Sequence, residues 1–111
     1  MVNPQRGEVQ LTLGKEILKA RLTIDAMIRI ERSNGGMSIV QMAQKLSLGK
    51  ATIEEIINVL TPAIKGGGND VDEKKVKQMI WNAGLPNGMR CAGEILTTAL
   101  NSGYDRDWET H

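Results

Sequence analysis

The sequence predicts an α+β domain: an N-terminal β-hairpin followed by about five short α-helices, mostly helical by residue count. Three observations carry that reading. Apolar residues alternate with polar ones near the start and then change to a three-to-four-residue spacing. Capping residues, glycines and prolines cut the second part into short segments. The 111 residues, 41% hydrophobic and 24% charged, are material for one ordinary globular domain. That domain is assigned to residues 1–103. Residues 104–111 carry no helical stripe and read as a non-domain tail, either solvated or foreign in origin.

Val9, Leu11 and Leu13 alternate with Glu8, Gln10 and Thr12, the period of a strand with one buried face. Gly14-Lys15 suits a two-residue type II′ turn. On the return strand Leu18, Ala20 and Leu22 share a side, opposite Ile17, Lys19 and Arg21. Two strands alone are marginal in water, so helices must cover one face.

Thr23 caps the first helix, with Asp25 in its first turn. Ile24, Met27, Ile28 and Glu31 fall on its expected stripe, with Ile30 at the edge, and Asn34-Gly35-Gly36 ends it. Ser38 caps a second helix bearing Ile39, Met42, Ala43 and Leu46, and Leu48-Gly49-Lys50 turns the chain. A third helix begins near Ala51 with Ile53, Ile56, Ile57, Leu60 and Ile64 as its buried stripe. Pro62 predicts a kink or break there. Gly66-Gly67-Gly68-Asn69 reads as a linker. A fourth helix starts near Asp70 or Val71, carries Val76, Met79 and Ile80, and closes at Asn82-Ala83-Gly84. Pro86 occupies the first position of a fifth, with Met89, Ala92, Ile95, Leu96, Ala99 and Leu100 inward and Asn101-Ser102-Gly103 at its end. Of the six methionines, Met27, Met42 and Met79 fall on buried stripes; Met37 and Met89 are better placed for an adaptable surface.

Composition narrows the function classes. No apolar run approaches the ~20 residues of a membrane helix, so a membrane span is excluded. Met1-Val2-Asn3-Pro4-Gln5-Arg6 has no apolar stretch of a signal peptide. The single cysteine, Cys91, excludes an internal disulfide, suits a reducing cytoplasm and reads as a small buried hydrophobe. The only histidine is His111, so a His/Cys metal site or a His-based catalytic triad has no material. The carboxylate pairs Glu54-Glu55 and Asp72-Glu73 are adjacent on helices and diverge by ~100°. Gly66-Gly67-Gly68 and Gly84-Leu85-Pro86-Asn87-Gly88 follow helices, not strands, and fail the context of a phosphate loop. No catalytic, cofactor-binding or metal-ligating residue is assigned, no cofactor is expected, and the chain is read as a non-enzyme.

Fourteen basic residues face thirteen acidic ones, a net charge of +1, with no basic segment and three aromatic residues in all. That disfavours nucleic acid as a partner. One arrangement runs the other way. Residues 39–57 have the order of a helix-turn-helix, with Ala43 small where a second helix would approach and Ile53 and Ile56 where it would pack back. A small helix-turn-helix DNA-binding regulator is therefore the alternative function. Ser47 where glycine is preferred, and Glu54 and Glu55 where phosphates would approach, count against it.

The run Asn3-Pro4-Gln5-Arg6-Gly7-Glu8-Val9, the strand Gln10-Leu11-Thr12-Leu13-Gly14-Lys15 and the segment from Arg21 to Glu31 resemble the gene transfer agent family of small phage tail proteins, variously described as tail assembly chaperones or tail tube proteins. The break at Ala63-Ile64-Lys65-Gly66-Gly67-Gly68, the acid-capped helix ending in Ala83-Gly84-Leu85 and the last amphipathic helix continue the likeness. The resemblance implies a prophage or gene-transfer-agent tail protein without catalytic residues, most directly a tail assembly chaperone. It implies tape measure or tail tube proteins as partners and a place in the host cytoplasm during virion assembly or on the virion itself; a homo-oligomer is the other use expected of the first strand's edge.

The expected contact site is the outer edge of the first strand: Val9, Gln10, Leu11, Thr12 and Leu13. A two-stranded sheet leaves unpaired backbone groups on both outer edges. Lys19 and Arg21 blunt the second strand, whereas Glu8, Gln10 and Thr12 guard the first less. Strand addition is the expected mode.

Overall fold

The chain, a computed structural model that describes residues 8–101, opens on the expected hairpin. β1 (Glu8–Leu13) pairs antiparallel with β2 (Glu16–Arg21), placing Leu13 opposite Glu16, Leu11 opposite Leu18 and Val9 opposite Ala20. Gly14 takes a φ of 62° while Lys15 stays at negative φ, the combination a type II′ turn requires. Opposed residues share a face, so Val9, Leu11, Leu13, Leu18 and Ala20 form one apolar side that packs into the core. Gln10 and Thr12 are exposed on the other. Glu8, expected in solvent with them, is buried opposite Arg21.

Local capping fixes where the helices begin. The Thr23 hydroxyl accepts from the Ala26 amide at 3.1 Å and starts α1 (Ile24–Ser33). Ser38 and Gln41 form a reciprocal capping box at α2 (Ile39–Ser47), and Thr52 and Glu55 form another at α3 (Ile53–Gly66). The Asp72 carboxylate accepts from the Lys75 amide at 2.8 Å and opens α4 (Glu73–Ala83). This start is later than Asp70 or Val71, because Asn69 just before it is held by the hairpin. Gly84, at φ 93°, ends α4 and opens α5 (Leu85–Ala99), with Leu85 first and Pro86 second.

α3 is the central helix. Ile56, Val59, Leu60, Ala63 and Ile64 are wholly buried, and α3 packs on β2, α1, α4 and α5. The expected break at Pro62 does not occur: the helix runs on to Gly66. Pro62 forgoes one ladder bond, its own to the Asn58 carbonyl, and burial of its ring with the neighbouring Ala63 and Ile64 offsets that loss. α2 contributes Ile39, Met42 and Leu46 to the core, and α4 contributes Val76, Met79 and Ile80. Cys91, Ala92, Ile95, Leu96 and Ala99 of α5 complete it. Met42 and Met79 are buried as expected; Met27, Met37 and Met89 are partly so.

One stripe is corrected. α1 buries Ala26 and Ile30, while Ile24 and Ile28 are 72% and 42% exposed. Apolar residues at 24, 26, 27, 28 and 30 fit two overlapping stripes, and periodicity in so short a helix does not choose between them. The buried Leu22 and the Thr23 cap fix the entry angle, which turns Ala26 and Ile30 toward α3. Glu31, expected on the core stripe, instead accepts from the Ile39 amide at 3.1 Å and joins α1 to α2. Ser102 and Gly103, expected to end α5, and the residues 3–7 quoted for the resemblance lie outside the described residues.

The glycine-rich run is more than a connection. A Cβ on Gly66 would strike the Arg21 carbonyl, and one on Gly67 would strike the Lys19 carbonyl and the Ala20 backbone. The end of α3 therefore lies directly against β2. Gly67→Ala should lower stability by about 2 kcal/mol or more, since backbone would have to move from backbone. Gly93→Ala, within α5 where a Cβ meets nothing within 4 Å, should raise stability by about 0.5–1 kcal/mol. Urea unfolding of the two variants checks both signs. An unchanged midpoint for Gly67→Ala would refute the contact.

Candidate functional site

The hairpin's outer edges come first, because the expected contact site lies on one of them. In a two-residue hairpin the residues flanking the turn form a hydrogen-bonded pair, and the outward backbone groups alternate from there. On β2 the carbonyls of Lys19 and Arg21 point outward, and both meet α3's end. Asn69 Nδ2 donates to the Lys19 carbonyl at 2.6 Å and to the Ile64 carbonyl at 3.0 Å. At Lys19 and Arg21 the β2 edge is closed by these contacts, not by the charges of the two side chains.

On β1 the outward residues are Gln10 and Thr12. The Thr12 carbonyl accepts from Cys91 Sγ at 3.6 Å, a weak bond from a wholly buried thiol on α5. Burial pushes the Cys91 thiol above its ordinary range, so it stays protonated and able to donate. The five predicted residues thus divide. Val9, Leu11 and Leu13 point their side chains inward, Thr12 lies under α5 at its carbonyl, and Gln10 is exposed.

A second feature, missed by sequence reasoning, is a groove of about 540 Å³ between the start of α3, the end of α4 and the start of α5. Ile53, Ile57, Ile80, Trp81, Gly84, Leu85 and Lys77 line it. Each wall has a local cause. The Thr52 cap places Ile53 at the first position of α3, where it is 54% exposed instead of buried as expected. α4 turns Val76, Met79 and Ile80 inward, so Trp81, ~100° further round, faces out and is 83% exposed. Gly84 adds no side chain to the floor. The available signal was Trp81 itself: an aromatic one position off a buried stripe, in a chain almost without aromatics.

Lys77 is the charged residue of the lining. Its Nζ lies 3.3 Å from the Glu73 carboxylate, a one-turn pair with both side chains more than half exposed. Such a pair holds weakly and exchanges readily for another carboxylate.

The helix-turn-helix arrangement can be checked in the packing. α2 rests chiefly on α5, and α3 on β2, α1, α4 and α5, so the two helices are not a mutually packed pair. Ala43 lines a shallow pocket together with Met89 and Gly93 of α5, and Ile53 lines the apolar groove. The α2 and α3 helices are bridged by Lys45 Nζ, which donates to Glu55 at 2.7 Å. That bond removes a cation from the surface a DNA backbone would approach.

Among the described residues no three or more His, Cys, Asp or Glu side chains gather as a metal site, and no helix is long and apolar enough to cross a membrane. What the described surface offers is contact area, a strand edge and an apolar groove, as in a small protein that works within an assembly. A sequence model of the family described as "Phage tail tube protein, GTA-gp10" matches residues 6–102, and the chain belongs to that family of phage and gene-transfer-agent tail proteins. No curated protein and no solved structure matches it.

The Lys45–Glu55 bridge gives a pH test. The hydrogen bond from Lys45 holds the Glu55 carboxyl below its usual range, against a smaller opposing effect of burial. A depressed folded value means the stabilisation is present above the ordinary carboxylate pKa and is lost as pH falls through the folded value. Glu55→Gln keeps a side chain able to complete the capping box and removes the charge. It should cost up to about 1 kcal/mol at pH 7 and nothing in strong acid, read as two stability–pH curves that converge. Parallel curves would show that the bridge contributes no charge-dependent stability.

Proposed function

We propose that the protein is a non-enzymatic tail assembly chaperone of a phage or gene transfer agent. It acts through reversible contacts with other tail proteins, the tape measure or the tail tube, in the host cytoplasm while tails are built. The observation that carries this reading over a tube subunit is the dispersal of the exposed large apolar side chains into separate small groups. A permanent ring contact typically buries 2,000 Å² or more and resembles a core cut in half. Here the exposed large apolar side chains gather in one groove and in the Ile24–Ile28 pair, while Ile17, Val40 and Leu48 lie on other elements. Separate small groups of this kind suit contacts that form and release. Quantitative mass spectrometry of purified particles, beside a deletion of the gene, tests the role. The chaperone reading expects loss of tails on deletion and at most a few copies per wild-type particle. Copies in proportion to tube length would establish the tube role.

Strand addition at residues 9–13 is proposed as a second mode of contact, including self-association. With the β2 edge closed at Lys19 and Arg21 and the Thr12 carbonyl engaged, Gln10 is the exposed outward position that offers both backbone groups on β1. Gln10→Pro removes an outward amide and leaves the β1–β2 ladder intact. The variant should keep its fold by circular dichroism and lose oligomers in analytical ultracentrifugation. Unchanged oligomer size and unchanged binding to co-expressed tail proteins would rule the edge out.

A further inference from the structure

Resting on the reading of a protein that binds other tail proteins, we infer that the groove between α3, α4 and α5 is a docking site for one short amphipathic helix. The helix carries large apolar side chains on one face and a carboxylate beside them. Three features of the groove specify this occupant.

The first is shape. Ile53 and Ile57 lie one turn apart on one wall, and Trp81 and Leu85 stand opposite across the Gly84 break. Two apolar ridges with a floor of Ile80 and a side-chain-free glycine form a slot for side chains spaced i, i+3/i+4 on an incoming helix.

The second is area. Trp81, Ile53 and Leu85 are the exposed large apolar side chains of the lining, against about 20–30 residues that each partner gives to a standard stable interface. That falls short of what a second folded copy of this chain would bury. It matches a single helical segment of two to three turns.

The third is charge. Lys77 is the charged member of the lining, and its bond to Glu73 is exposed and weak. A carboxylate on the incoming helix takes over the Lys77 ammonium as the groove closes and water leaves. There the contact gains strength from desolvation.

The probe is a labelled fourteen-residue helical peptide with leucines at i, i+3, i+4 and i+7 and one glutamate flanking them. A second peptide has lysine in place of that glutamate. Fluorescence anisotropy on the full chain should give a Kd on the order of 10–100 µM for the glutamate peptide and at least tenfold weaker binding for the lysine peptide. Trp81→Ala should weaken the glutamate peptide at least tenfold, and Lys77→Glu should invert the preference between the two. Both positions are exposed, and an unchanged urea midpoint confirms that each variant folds. Equal binding of the two peptides, or a folded Trp81→Ala variant that binds as before, overturns the inference. So does a concentration-dependent dimer in sedimentation equilibrium that disappears in Trp81→Ala, since the occupant would then be a second copy. Particle stoichiometry is read independently, so failure here leaves the chaperone role standing, and failure there leaves the groove's specificity intact.

Discussion

A two-stranded hairpin has more edge than interior, and how this protein closes those edges sets the position of everything else. The outward carbonyls of Lys19 and Arg21 need either water or a partner. They meet the end of α3, where Gly66 and Gly67 bring backbone against backbone, and Asn69 Nδ2 completes the contact with the Lys19 carbonyl. No residue with a Cβ could stand at either glycine at that distance. On the other edge α5 brings the Cys91 thiol to the Thr12 carbonyl. The sheet is thus held between two helices that are themselves packed on one another, and the hairpin's apolar face closes onto the core they share.

Fixing the end of α3 has a consequence at its start. The helix is pinned at Gly66 and crosses the core on Ile64, Leu60 and Ile56. Its first turn carries Ile53 to the groove that Trp81 and Leu85 also line. The capping box of Thr52 and Glu55 holds this projecting turn in shape, and the Lys45–Glu55 bridge ties it back to α2. One end of α3 therefore serves the fold and the other presents apolar side chains to solvent on a rigid element.

How much of this was legible depends on how local the cause is. The caps at Thr23 and Ser38 and the turn at Gly14 act within three or four residues, and the sequence pattern locates them, whereas Asp72 reads as a first-turn acid and is the cap itself. The stripes of α2, α4 and α5 are long or unambiguous enough to be read as well. The α1 stripe is not, because Ile24 and Ile28 compete with Ala26 and Ile30 and only the docking of Leu22 decides. Gly66 and Gly67 read as a linker because their reason is a contact with residues 19–21, more than forty positions away. Pro62 reads as a break because the burial that tolerates it is tertiary. The candidate site divides in the same way. The alternation of residues 9–13 shows which side chains face out, but not that Asn69 and Cys91 reach the strand edges. The groove is assembled from three helices and has no signature beyond an aromatic off its stripe.

That aromatic decides how the groove should be read. Trp81 is the sole aromatic side chain among the described residues, and it is on the surface. The core beneath it is complete without it, filled by isoleucine, leucine, valine, alanine and methionine with no phenylalanine in the chain. Burying a side chain of that size typically contributes about 1.5–3 kcal/mol, and this fold forgoes that contribution although Ile80, its neighbour in sequence, is buried. Ile53 and Leu85 are exposed in the same place. Ile17, Ile24, Ile28, Val40 and Leu48 are exposed elsewhere, but only here do large apolar groups and the sole described aromatic meet around an unfilled slot, and packing gives no reason for it. Binding gives one: the contact energy that folding leaves unused is available to the helix that fills the slot, and a contact this small costs little to break when the partner moves on.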